Sequence, residues 1–110
     1  MLTDKDYCDY DTCVALKELG CIIVSSWFFN KDGVRIPRTH LYDAQKWLRE
    51  EKKIEVNAFY DNTDAAWRFY ILEMDSPDLS GTYAYNDAYM SYEEALLEGI
   101  KGVVKLLKED

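Results

Sequence analysis

The chain has 110 residues, 48% of them apolar and 15% aromatic, which suits one domain with its own core and excludes disorder. Its 21 acids against 13 bases leave a net charge of −8, which disfavours general nucleic-acid binding, where a basic footprint supplies most of the affinity. No apolar run approaches the ~20 residues a membrane-crossing helix needs, and the acidic first eleven residues lack a signal peptide's apolar stretch, so a cytoplasmic protein is expected.

The chain opens on Asp4, Asp6, Asp9 and Asp11. As a calcium loop from Asp4 the pattern fails, because the sixth position is Asp9 instead of Gly and the twelfth is Ala15 instead of Glu. Acids here fit the positive end of a helix dipole. They predict a short helix over 12–19, with Cys13 and Leu16 inward and Gly20 as its left-handed stop. Cys8, Cys13 and Cys21 are odd in number, which fits a reducing compartment. With His40 they lack any C-x2-C pair, so no metal is predicted and the cysteines are read as small buried hydrophobes.

Residues 21–29, rich in β-branched and aromatic side chains, predict a strand with Cys21, Ile23, Ser25, Trp27 and Phe29 on one face. Asn30, Lys31, Asp32 and Gly33 predict a hairpin turn, and a short strand over 34–36 returns to Pro37. The clearest helical period of the first half follows, over 37–53. Thr39 is its expected N-cap, and Leu41, Ala44 and Leu48 share one face with Trp47 at its edge. On the opposite flank Lys46, Arg49 and Lys53 align into a basic stripe.

Residues 54–60 and 66–74 alternate as partner strands around a turn at Asp61, Asn62, Thr63 and Asp64, residues that bond their own backbone. Trp67, Phe69 and Ile71 would face the core. A loose stretch over 75–90 holds Pro77, Tyr83, Tyr85 and Tyr89 and one short strand over 81–85. Ser91 and Glu94 then form a capping box opening a final helix to about residue 108. Its apolar arc contains Gly99 and Gly102, whose i, i+3 spacing implies a close backbone approach, most naturally to a sheet. The order α-β-β-α-β-β-α predicts an α+β, two-layer sandwich: one antiparallel sheet of about four strands with helices packed on it, in a single domain over 1–110.

No phosphate-binding, dinucleotide-binding, nucleophile-elbow or zinc-protease motif occurs. No catalytic residue, cofactor or metal ligand is therefore assigned, and His40 is read as a surface residue in a helical first turn. Residues 31–53 carry seven bases against four acids, whereas residues 59–98 carry nine acids against the single base Arg68. That asymmetry, with the recognition-suited tyrosines, points to a non-enzymatic, acidic protein-interaction module whose surface suits a basic partner. The candidate interaction surface comprises Arg38, Lys46, Arg49, Lys53, Tyr83, Tyr85 and Tyr89. A nucleic-acid accessory using Arg38, Lys46, Arg49 and Lys53 is the alternative.

Three patches carry a resemblance: residues 45–50 (QKWLRE), 67–70 (WRFY), and 91–95 (SYEEA) leading to Gly99 and Ile100. Together they resemble short uncharacterised proteins of gut Bacteroidetes and their prophages and phages. The resemblance covers roughly residues 37–107 and departs at Arg38, where that family places Thr directly after Pro. The family carries no assigned activity, so the resemblance implies a mobile-element context and transfers no functional residue.

Overall fold

A computed structural model describes residues 4–23, 28–31, 33–74, 82–84 and 87–109. The protein is α+β. After a 3-10 turn at Asp4–Asp6 come α1 (Tyr10–Glu18), β1 (Phe28–Lys31), β2 (Val34–Pro37), α2 (Leu41–Glu51), β3 (Ile54–Asp61), β4 (Ala66–Glu73), β5 (Thr82–Ala84) and α3 (Tyr92–Lys108). No helix among the described residues is long and apolar enough to cross a membrane.

Residues 54–108 form the larger half. β3 and β4 pair antiparallel from Ile54↔Glu73 to Asp61↔Ala66, and β5 adds to the far side of β4. The alternation of β3 delivers Ile54, Val56 and Ala58 inward, and β4 answers with Phe69 and Ile71, all buried. The loop between them is held as expected: Asp61 Oδ1 accepts from the Thr63 amide at 2.9 Å. α3 covers this face. Ser91 Oγ accepts from the Glu94 amide at 3.1 Å, satisfying a donor the helix cannot. Ala95, Leu96, Gly99, Ile100, Val103 and Val104 are then buried along one arc.

The close approach expected at the glycines is present and faces the sheet. A Cβ on Gly99 would lie 2.7 Å from Val56 Cγ2 and 3.0 Å from Phe69 Cδ1. At Gly102 the nearest atom would be Ile71 Cδ1 at 3.3 Å.

α2 lies against β3, with Leu41, Ala44 and Leu48 fully buried as their spacing predicts and Trp47 half-buried. Gln45 Nε2 donates to the Val56 carbonyl at 2.7 Å and so occupies the outer edge of the sheet. Asn57 Oδ1 sits at the junction, accepting from Gln45 Nε2 at 3.3 Å and from the Tyr92 hydroxyl at 2.9 Å.

Several expectations change. The four expected strands do not make one sheet: among the described residues β1 and β2 form a separate two-stranded hairpin, and β5 is the third strand of the other sheet. Other contacts are made where the two strand pairs might have met. Beyond β2 the chain pairs with the N-terminal segment, through the Tyr7↔His40 bridge and a 2.9 Å bond from the Cys8 amide to the Thr39 carbonyl. On β3 the Val56 carbonyl accepts from Gln45 of α2.

The strand expected over 21–29 is confined, within the described residues, to Phe28 onward. Cys21 is buried but Ile22 and Ile23 are exposed, which breaks the expected alternation. Val24, Ser25, Ser26 and Trp27 lie outside the described residues, as do Asp32 of the hairpin turn and Pro77. α1 begins two residues early, because Asp9 Oδ1 caps it by accepting from the Thr12 amide at 2.9 Å. Thr39 is not a cap. Its hydroxyl donates to the Ile23 carbonyl at 2.9 Å, and His40 takes the N-cap position without a side-chain bond.

α1 lies against α3 and β2. The pairs Asp9–Lys101 (3.0 Å) and Glu18–Lys108 (3.2 Å) run in the same sense along both helices, so α1 and α3 are side by side and parallel. Cys8, Cys13 and Cys21 are buried and free of disulfides, as small hydrophobes of this part of the core.

Candidate functional site

The seven residues foreseen as an interaction surface do not converge. Lys46 is exposed on α2, but Arg49 is engaged with Glu55 at 3.4 Å. Lys53 lies beyond the end of α2, in the left-handed region at φ +57°, and leaves the helical phase on which the stripe depended. Arg38 stands before the start of α2, at the opposite end of the helix from Lys53. Tyr89 is half-buried on the other side of the sheet. Its amide donates to the Trp67 carbonyl at 2.8 Å, and its ring packs 6.1 Å from that of Phe69. Tyr83 belongs to β5, which also pairs with β4, and Tyr85 lies outside the described residues. Lys46 and Arg49 therefore lie on α2 beside β3, whereas Tyr83 and Tyr89 lie along the far side of β4.

Arg38 leads to a different site. Its guanidinium lies 4.0 Å from the centre of the Tyr7 ring, a cation over an aromatic face. Tyr7 in turn meets the His40 ring edge-on at 4.4 Å, so His40 is half-buried and not on the surface. This stack forms one wall of a cleft of about 620 Å3, whose other walls are residues 5–10 and the first two turns of α3. Cys8, Tyr10 and Leu97 give it apolar surface. Asp9, Glu93 and Glu94 face Lys5 and Arg38 across it, three carboxylates to two cations.

Local sequence fixes each wall. The 7–8 to 39–40 bridge holds Tyr7 and Cys8 extended, so that Asp9 can turn the chain into α1. Burial pushes the Asp9 carboxyl up, but the Thr12 hydroxyl and amide and the Lys101 ammonium outweigh it and hold it below its usual range. Asp9 is thus a charged, occupied anchor. Glu93 and Glu94, in the first turn of α3, make no ion pair among the described residues. Nearby, the Tyr42 hydroxyl donates to Asp6 Oδ1 at 3.3 Å. The Tyr42 phenol is raised, first by burial and then by the charges of Asp6 and Glu93.

Cys8, on the inner wall of the cleft, is held as a thiol: the bond to the Cys13 side chain and then burial raise it well above its ordinary value. Burial likewise raises Cys21. Among the described residues no three His, Cys, Asp or Glu side chains are placed to hold a metal ion.

Reading the sequence missed this cleft. Its residues come from three segments far apart in the chain, and the one local motif among them, the Ser91–Glu94 capping box, announces a helix start and not a cleft. The one other local signal is the Tyr-acid alternation of residues 6–11, which was read only as helix-charging acids. Compared with protein families, curated proteins and solved structures, the chain finds no match.

Proposed function

We propose that the chain is a non-enzymatic, acidic interaction module, of mobile-element type as its sequence resemblance suggests, which binds a basic segment of another protein. One observation carries this reading. The bases that would have contacted phosphate are dispersed and partly neutralised, whereas Glu93 and Glu94 stand unneutralised at the mouth of a large, partly aromatic cleft. With a net charge of −8, the chain attracts a cationic partner at long range and repels a polyanion.

The test is a fluorescence anisotropy titration at about 150 mM salt, where charges more than ~8 Å apart in solvent are largely screened. The probes are a labelled octapeptide of alternating Leu and Arg, its Leu and Glu counterpart, and a labelled DNA duplex. Binding of the basic peptide alone is expected. Micromolar binding of the duplex, abolished by Arg49→Glu, would instead establish the nucleic-acid reading.

A further inference from the structure

We infer that the cleft between residues 5–10 and the start of α3 seats one arginine or lysine side chain of a partner's basic segment. This rests on the reading above and adds to it a place and a contact. The cleft offers the two surfaces such a side chain needs. Tyr10 and Leu97 are apolar walls against which a methylene stem can lie, and Glu93 and Glu94 are carboxylates at its rim. Both belong to the first turn of α3, whose cap Ser91 fixes their position. The Tyr7 ring is already covered by the Arg38 guanidinium at 4.0 Å, so the guest's charge is met by Glu93 and Glu94 and its stem by Tyr10 and Leu97.

An anion is the obvious competitor, since the cleft meets a helix N-terminus and also holds Lys5 and Arg38. Two features oppose it. The Glu94 amide is already taken by Ser91 Oγ at 3.1 Å. Glu93 and Glu94 themselves occupy the first turn, where they complement the helix dipole and repel a further negative charge. Asp9, engaged by Thr12 and by Lys101, adds to the negative field without needing a new partner. Two cations line the cleft and work against the guest: Arg38, held over Tyr7, and Lys5, which is exposed and makes no ion pair among the described residues.

The experiment is a 1H–15N NMR titration of the full chain with the alternating Leu and Arg octapeptide, alongside the same peptide with citrulline for arginine. Shifts are expected at residues 5–10, at Arg38 and at residues 91–97, from the charged peptide only. Replacing both carboxylates, Glu93→Gln with Glu94→Gln, should weaken binding about tenfold, as expected for two partly exposed ion pairs. Lys5→Glu, at an exposed position where the fold is not at stake, should tighten it. Equal binding by the citrulline peptide, or an affinity indifferent to all three substitutions, overturns the inference. Shifts confined to Phe59, Tyr70 and Leu72 on the open face of the sheet overturn the cleft and leave the protein-binding reading standing. No binding of the charged peptide at all overturns both.

Discussion

Single side chains decide more here than their positions in the sequence suggest. Lys53 adopts φ +57°, a left-handed conformation that costs an L-residue roughly 1 kcal/mol and glycine almost nothing. Lys53→Gly is therefore expected to stabilise the fold by up to about 1 kcal/mol, less what glycine adds to the freedom of the unfolded chain, read as a higher urea midpoint. Asp9 gives a pH-dependent prediction. Its folded-state carboxyl is held below its ordinary value, so its contribution is complete above the unfolded pKa of about 3.9 and lost as pH falls through the lower folded value. Thermal melts below about pH 4 should show the native chain losing stability faster than Asp9→Asn, which keeps a capping oxygen but has no titrating charge. Ser91 was legible as a cap because its whole motif is local. Thr39 was not, because its hydroxyl is claimed by Ile23, a tertiary partner that no local pattern announces.

Elements were most legible where the apolar period was long. α3 and α2 present the faces their spacing predicts, and β3 and β4 alternate as expected up to their exposed ends. The two glycines of α3 separate what packing demands from what a helix prefers. Alanine at either position gains about 1 kcal/mol of helix propensity. At Gly99 the new methyl would meet the stiff Val56 side chain at 2.7 Å, and overpacking of that kind costs about 1–3 kcal/mol. At Gly102 the contact is the mobile end of Ile71 at 3.3 Å. Chemical denaturation should show Gly99→Ala destabilised and Gly102→Ala unchanged or more stable. Of the strand expected over 21–29, Phe28 and Phe29 belong to β1 but residues 21–23 are not strand: β-branched composition signals a preference for a pleated surface, and at Ile22 and Ile23 no such surface is provided.

At the scale of the molecule, sequence reasoning assigned charge correctly in amount and wrongly in arrangement. A helical projection places Lys46, Arg49 and Lys53 in one stripe, yet one is bound to a glutamate and another has left the helix. The number of sheets was equally invisible, since a strand pattern records which faces are apolar and not which edges are taken. Here Gln45 takes the Val56 carbonyl of β3, and the backbone of residues 7–8 pairs with residues 39–40 just beyond β2. The cleft is a product of that arrangement: only because residues 7–8 run beside 39–40 does Tyr7 come under Arg38, facing α3.

The bonds from Asp9 to Lys101 and from Glu18 to Lys108 join the first helix of the chain to the last. During synthesis α1 leaves the ribosome well before α3, on which it comes to rest. Until α3 emerges, Asp9 and Glu18 lack the lysines that pair with them, and α1 has only earlier elements, β2 among them, to rest on. The cleft therefore cannot close before α3 is made, and a chain truncated before residue 91 lacks the wall that Glu93, Glu94 and Leu97 provide.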